Sequence, residues 1–237
     1  MKVKYPGLLL GCVLGLVLSV PALAAEAAGG SVEAVMLLYQ EREPGTDVYP
    51  VRVLVTPDYL RIDDNRDGSD FVLFERHSGR VTSVAHETRT LVRIERFDFD
   101  RAAAPDYRVD LDLAEDAPPI GGYAVSEYRL HAGDTLCADA SVVPGLLGDA
   151  ARALAAYERV LAGRQFRDLD KTPAEFRTPC YLANYVYAGD RMAAAGLPVR
   201  MRIRDGRERL LVDYAPRISV ASELFEIPEG YELLQLP

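Results

Sequence analysis

The sequence predicts an α+β fold in which a helical block interrupts a meandering antiparallel sheet with one buried face. As far as about residue 130, apolar and polar residues alternate with the period of two that is typical of half-buried strands. The period becomes helical at about 144–196, and alternation then returns. Because strands lie on both sides of the helices, a single domain over 32–237 is predicted.

Composition and charge exclude several classes of protein. The 237 residues are 49% hydrophobic and 27% charged, which is typical of a globular protein and excludes a largely disordered one. The net charge of −9 argues against binding to a nucleic-acid backbone. With no tryptophan, three histidines and three cysteines, the chain has few of the residues from which catalytic and metal sites are built.

The first 25 residues have the layout of a secretory signal peptide. Lys2 and Lys4 precede an apolar run at 7–20, and Ala22-Leu23-Ala24 supplies the A-x-A cleavage pattern. The run is shorter than the roughly 20 residues that a membrane-spanning helix needs. We therefore predict export to the periplasm through a cleaved signal peptide, with no transmembrane segment in the mature chain.

An alternative interpretation takes Leu9-Leu10-Gly11-Cys12 as a lipobox, which would make the protein a lipoprotein anchored at Cys12. Against it, only about five apolar residues precede Cys12, and the apolar run continues well beyond that position. The cleaved signal peptide is the favoured interpretation.

Export changes the interpretation of the cysteines, because only Cys137 and Cys180 remain in the mature chain. An even pair in an oxidising compartment indicates a disulfide. The bridge would close a loop of 43 residues and stabilise the fold by about 3–4 kcal/mol. A thiol nucleophile or a metal-ligand pair is the alternative, but neither a CxxC spacing nor an adjacent histidine supports it.

The strands of the predicted sheet follow a short Ala/Gly linker at 26–31. Each strand is bounded by a polar or glycine-bearing turn, as in a meander. The strands predicted before the helical block are 51–56, 59–63, 71–76, 80–85, 90–96, 107–113, 121–130 and 135–142.

Three helix starts are predicted in the helical block. Pro144 suits the first position of a helix, apolar residues recur at helical spacing over 147–161, and Gly163 ends that run. A second start at 172–175 has the spacing of a capping box. The third, at Thr178-Pro179, opens a longer helix that ends at Gly196.

Strands resume after the helices. Alternation at 199–204 predicts one strand, and Asp205-Gly206 is a turn signal before a returning strand at 208–214. A final strand is predicted at 217–225.

Two segments carry a resemblance to a known family. Residues 223–231 (ELFEIPEGY) and residues 59–63 (YLRID), which an acidic turn separates from the apolar segment 71–74, are similar to segments of the LolA/LolB-like superfamily of periplasmic lipoprotein carriers. The chain thus resembles a proteobacterial branch of that superfamily over 31–237. The resemblance implies an open half-barrel, a curved antiparallel sheet whose concave apolar face the helical block covers.

We expect a non-enzymatic protein that holds a lipid, an acyl chain or an apolar peptide between sheet and helices, with no cofactor. A lipoprotein or another envelope protein is a second kind of partner consistent with this architecture. The residues expected to line the site are Val109, Leu111, Met201 and Ile203 from strands, and Leu147, Leu154 and Tyr157 from the first helix. The same residues would form a closed core if no ligand exists.

Two alternatives belong to other functional classes. The first is an envelope interaction module that docks a protein partner through its acidic surface and the stripe Arg200, Arg202 and Arg204, although cross-strand pairing of these arginines with acids is the simpler expectation. The second is a hydrolase. It is the weakest, because no G-x-S-x-G motif occurs and the pair Asp110 and Asp112 fits an ordinary solvent face.

The segment 63–70 resembles the start of a calcium loop, with Asp63, Asn65 and Asp67 at alternate positions before Gly68. However, Phe74 occupies the position of the last ligand, so a solvated hairpin turn is the favoured interpretation. His77 and His86 could meet across a hairpin, but two histidines without a third ligand make a poor zinc site. No metal is predicted.

Overall fold

The computed structural model describes residues 30–101 and 107–235. Its strands are β1 (Ser31–Arg42), β2 (Tyr49–Val55), β3 (Tyr59–Asp63), β4 (Phe71–Glu75), β5 (Arg80–Ala85), β6 (Thr90–Ile94), β7 (Tyr107–Leu113), β8 (Ser126–Ala132), β9 (Thr135–Val143), β10 (Leu197–Ile203), β11 (Glu208–Ala221) and β12 (Glu232–Leu234). They form one sheet that is not closed, in the order β12-β6-β5-β4-β3-β2-β1-β11-β10-β9-β8-β7. The predicted signal peptide, Cys12 and most of the linker lie outside the described residues.

The sheet is mixed, which corrects the wholly antiparallel sheet that the sequence predicted. Neighbouring strands pair antiparallel except for β12, which pairs parallel with β6 from Glu232 opposite Thr90. Just before this strand, the Tyr231 hydroxyl contacts His86 Nδ1 at 2.8 Å and the Arg89 guanidinium lies 5.0 Å from its ring centre. The last strand therefore joins the edge of the sheet instead of extending a hairpin.

The long strand β11 replaces two predicted strands. Its 14 residues pair with β1 from Glu208 opposite Arg42 to Ala221 opposite Ser31. Pro216 does not end the strand, because it falls at a register shift of the β1–β11 ladder, where a missing backbone N–H is tolerated. The predicted final strand stops at Ala221, and Ser222–Phe225 forms a 3-10 turn instead.

The other predicted strands differ mainly at their ends. Strand β6 ends at Ile94, two residues before the predicted end. The first half of the strand predicted at 121–130 is a turn, since Gly121 and Gly122 have positive φ, and β8 begins only at Ser126.

The first predicted helix forms as α1 (Gly148–Arg167), but it begins four residues after the predicted start at Pro144 and continues past Gly163. Gly163 does not cap this helix. A Cβ at that position would lie 2.2 Å from the carbonyl oxygen of Phe97. The glycine therefore permits the backbone at Phe97 to approach the helix closely.

The rest of the helical block is broken into short pieces, which corrects the predicted long helix. The second start gives only 3-10 turns at Leu169–Lys171 and Ala174–Phe176. The third opens as α2 (Pro179–Tyr181), passes into a π-helical segment (Leu182–Tyr187) and ends in α3 (Arg191–Ala195). The predicted helix start at Thr178-Pro179 is confirmed, and the Thr178 hydroxyl caps it by accepting a hydrogen bond from the Tyr181 N–H at 3.2 Å.

Around β2 both faces of the sheet are buried, whereas the sequence predicted only one buried face. Val53 and Val55 pack in a core cluster with Ala150 and Leu154 of α1. Between them, Leu54 points to the opposite face and packs in a second cluster with residues of the C-terminal 3-10 turn. The turn that replaced the final strand thus supplies the cover for this face.

Candidate ligand-binding cleft

A cleft of about 450 Å³ lies between the helical block and strands β1, β8, β10 and β11. Its volume is within the range of about 300–1,000 Å³ that is usual for small-molecule sites. The apolar part of its wall includes Val51, Ile62, Leu130, Tyr157, Leu161, Met192, Met201 and Ile203. Its charged lining residues are Glu41, Arg42, Glu43, Glu158, Arg207, Glu208 and Arg209.

The structure brings together three of the seven residues expected at a ligand site. Tyr157, Met201 and Ile203 line the cleft. Leu154 is buried in the core cluster, and Leu147 packs against the same cluster. On the sheet, Val109 packs against a separate cluster formed by β8, β9 and the helical block, and Leu111 is 49% exposed on β7.

Glu158 is the central group that the sequence analysis missed. It lies on α1 four residues after Leu154 and three before Leu161, so it occupies the apolar face of the helix. An acidic residue on the apolar face of a predicted helix is the sequence feature that could have identified Glu158. Its Oε2 atom is buried and has no hydrogen-bond partner among the described residues.

Burial is the main cause that raises the pKa of Glu158, to about 7. The Arg209 guanidinium acts in the opposite direction, and the Asp190 carboxylate adds to the rise. The side chain therefore changes its charge near neutral pH, inside a cleft with a largely apolar wall.

Arg209 is already engaged by another acid. Glu41 on β1 and Arg209 on β11 are direct cross-strand partners, and Arg209 Nε donates to Glu41 Oε1 at 2.7 Å. The Arg209 guanidinium also lies 5.1 Å from the ring centre of Tyr39, whose hydroxyl donates to the Pro198 carbonyl oxygen at 3.0 Å. These contacts hold the arginine against the sheet.

Tyr128 is a second group with an unmet hydrogen bond in this cleft. Its side chain extends from β8, the residue is 1% exposed, and its Oη atom has no partner among the described residues. Burial raises its pKa above the ordinary value, so the hydroxyl stays protonated at neutral pH. The cleft thus contains one unpaired carboxylate oxygen and one unpaired hydroxyl.

A second cleft of about 660 Å³ adjoins the first and lies beside the disulfide. The two share five residues in their walls, which are Gln165, Asn184, Tyr185, Ile203 and Arg207. The bond between Cys137 and Cys180, with Cα atoms 5.0 Å apart, confirms the predicted disulfide and ties β9 to the start of α2. The covalent tie therefore stands at the border of this second cleft.

The carboxylates of the calcium-like turn are occupied by arginines. Arg52 and Arg61 both donate to Asp63, at 2.8 and 2.7 Å, and Arg66 pairs with Asp64. Within 30–101 and 107–235, no group of three or more His, Cys, Asp or Glu side chains is arranged to hold a metal ion. The turn joins β3 to β4 as a hairpin connection.

Cross-strand pairing of the arginine stripe is confirmed for two of its members. Arg202 donates to Asp139 at 2.9 Å, and Arg200 lies 3.6 Å from both Asp139 and Glu127. Arg204, the third member, lines the second cleft.

The acid pair on β7 is also matched by arginines, one on the same strand and one on β8. Asp110 pairs with Arg108 at 3.0 Å, and Asp112 pairs with Arg129 at 2.9 Å.

Comparison with known proteins does not assign the chain to a family. No family model matches it, and no curated protein does. Among solved structures, an uncharacterized conserved protein of Thermus thermophilus has 12% identity and a TM-score of 0.44, with 85% of this chain and 89% of that chain covered. PNGF-II has 11% identity and a TM-score of 0.42, with 85% of this chain and 30% of that chain covered. Likenesses at this level support no argument about function.

Within the described ranges, none of the helices has the length and apolar character needed to cross a membrane.

Proposed function

We propose that this chain is an exported, non-enzymatic protein that holds a lipid or another apolar ligand in the cleft between the helical block and the sheet. The cleft of about 450 Å³ is the observation that supports the proposal. In this proposal the helices cover the concave face of a half-barrel like that of the LolA/LolB superfamily, and the ligand occupies the space that the two layers leave between them.

The character of the wall favours a flexible apolar ligand. Met192 reaches the cleft from the helical block and Met201 from β10, and methionine side chains adapt to ligands of different shape. Tyr157 and Leu161 add apolar surface from α1. A chain of methylene groups would gain roughly 0.8 kcal/mol for each group transferred from water to such a wall.

The disulfide supports export. Bonds of this kind persist in oxidising compartments such as the periplasm and are rare in the cytosol. Together with the signal-like residues 1–25, the bond between Cys137 and Cys180 favours a periplasmic protein.

A second candidate function is docking of an envelope protein at the open edge of the sheet. Strand β7 ends the sheet, and its residues Leu111 and Leu113 are 49% and 60% exposed. Edge strands with exposed apolar side chains are suited to pairing with another chain. This alternative places the partner at β7 and leaves the cleft empty.

The decisive experiment is native mass spectrometry of the protein purified from its own envelope. A bound lipid that dissociates on activation is expected from the wild type. The variant Met201→Trp, which fills the cleft, should lose that mass, and Leu111→Trp on the exposed edge should retain it. The second candidate replaces the first if none of the three proteins carries a lipid, or if Leu111→Trp alone loses a bound protein partner.

A further inference from the structure

Two side chains that line the cleft each have a buried polar atom that the protein leaves unpaired. Glu158 Oε2 and Tyr128 Oη are both buried, both side chains line the cleft, and neither atom has a hydrogen-bond partner among the described residues. Buried polar atoms without partners are rare in native proteins, and a bound water, an ion or a functional role commonly accounts for them. A purely apolar ligand would leave both atoms unpaired.

The arginines beside the cleft form their ion pairs with acids other than Glu158. Arg209 pairs with Glu41 at 2.7 Å, and Arg42 pairs with Glu208 at 2.8 Å. No ion pair within 4.0 Å involves Glu158 in the part of the chain that the structure describes. An ammonium head would approach Glu158 close to the Arg209 guanidinium, and a carboxylate head would meet Glu158 itself. Both arrangements bring like charges together, so the environment favours an uncharged head.

A hydroxyl group matches both unpaired atoms, since it donates one hydrogen bond and accepts others. We propose that the cleft binds single-chain amphiphiles with a neutral, hydroxyl-bearing head that donates a hydrogen bond to Glu158 and accepts one from Tyr128. This inference rests on the proposed function and names its ligand class. The apolar chain lies against Tyr157, Met201 and Ile203, and the head lies at the unpaired groups.

The test is displacement of N-phenyl-1-naphthylamine, a fluorescent apolar probe, from the full mature chain at pH 7. Four competitors share one alkyl chain: 1-decanol, decyl methyl ether, decylamine and decanoate. The ether is the critical comparison, because it accepts hydrogen bonds but donates none. Since the ether is also the more apolar compound, stronger binding of the alcohol requires the hydrogen bond to the protein.

The wild type is expected to bind 1-decanol about tenfold more tightly than the ether, which corresponds to one hydrogen bond to a buried group. Binding of the amine and of decanoate should be weaker than that of the alcohol. Glu158→Met and Tyr128→Phe should each reduce the preference for the alcohol several-fold, and both should still bind the probe. Glu175→Met removes an exposed acid outside the cleft and should preserve the full preference.

The possible failures are distinguishable. If the wild type binds the alcohol and the ether equally, or binds the amine or decanoate best, the head-group inference is wrong and the carrier function stands. If Tyr128→Phe and Glu158→Met both keep the wild-type preference, the hydroxyl is recognised elsewhere and the inference is also wrong. If neither the probe nor any decyl compound binds, the carrier function itself is overturned.

Discussion

At the scale of the residue, Arg61 and Glu158 are both ionisable side chains with buried polar atoms, and among the described residues only Arg61 has hydrogen-bond partners for them. Arg61 is 1% exposed, donates to Asp63 Oδ2 at 2.7 Å and to the Leu224 carbonyl oxygen at 2.6 Å, and lies 3.8 Å from the ring centre of Phe71. Burial of a charge is tolerated when such partners exist. We interpret Arg61 as a structural group and Glu158 as a ligand-binding group.

Replacement of Arg61 should be strongly destabilising. In Arg61→Met, the Leu224 carbonyl oxygen loses its donor and Asp63 keeps only Arg52 as a charged partner, so we expect the free energy of unfolding to fall by about 3 kcal/mol. Arg66→Met is the matched control, because Arg66 pairs with Asp64 at the surface, where ion pairs add little to stability. Urea unfolding measures the free energy of unfolding of both variants. Equal losses in the two variants would contradict the interpretation.

Glu158 should make stability depend on pH. Its pKa is about 7 in the folded protein, above the ordinary value of 4.5, so the folded state holds the proton more tightly. The stabilisation is complete below pH 4.5 and is lost as the pH rises through 7, to a total of about 3 kcal/mol. The charged groups that act on this proton are Arg209, which lowers the pKa, and Asp190, which raises it.

The measurement is urea unfolding of the wild type and Glu158→Gln at pH 4.5 and pH 8. The variant should gain about 3 kcal/mol relative to the wild type between the two pH values, because it has no carboxylate to ionise. Glu175→Gln changes an exposed acid and should follow the wild type. A difference between wild type and Glu158→Gln that is constant with pH would refute the assignment.

At the scale of the element, close approaches of backbone to backbone decide where the helices lie and where they end. Gly163 allows α1 to contact the backbone of Phe97. At Gly189, a Cβ would lie 2.5 Å from the Asn184 carbonyl oxygen, and the chain leaves the π-helical segment just before this residue. These contacts position the helical wall of the cleft, to which Asn184, Gly189 and Met192 contribute.

Two glycines of α1 should respond to alanine in opposite directions. Gly163→Ala places a Cβ 2.2 Å from the Phe97 carbonyl oxygen, so we expect a loss of about 1–3 kcal/mol in spite of the better helix propensity of alanine. Gly148→Ala meets only the end of the Arg152 side chain at 3.5 Å and should gain about 0.5 kcal/mol. Thermal unfolding of the two variants gives the comparison. Stabilisation of both would show that α1 is not held against Phe97.

At the scale of the whole molecule, contacts distant in the sequence hold the sheet and the helical block together. The disulfide joins β9 to α2 across 43 residues, and β11 pairs with β1 from the opposite part of the chain. The cleft is therefore formed by segments that come from most of the described chain, and its walls depend on these long-range ties.

Removal of the disulfide should lower stability without changing the sheet. The double variant Cys137→Ser with Cys180→Ser should lose about 3–4 kcal/mol of unfolding free energy, the loop-entropy value for a bridge across 43 residues. Thiol titration of the denatured, unreduced mature protein should detect no free thiol. Detection of two thiols would show that the bond is absent from the protein in solution.

Much of the fold was predictable from the sequence because it depends on local periodicity. Strands β2 to β5 follow the alternation of apolar and polar residues closely, and α1 follows the helical spacing of its alanines and leucines. The parallel strand β12 and the continuity of β11 past Pro216 were not predictable. Both features depend on which strand pairs with the segment, and the local pattern of apolar and polar residues does not specify the pairing partner.

The same division applies to the candidate site. The sequence by itself determined the pairing of Cys137 with Cys180 and a group of apolar residues, three of which line the cleft. Only the tertiary structure decided that Arg61 would have partners and that Glu158 Oε2 and Tyr128 Oη would find none among the described residues. The physical reason is that the free energy of a buried polar group depends on the atoms within hydrogen-bond distance, and folding brings those atoms from distant parts of the chain.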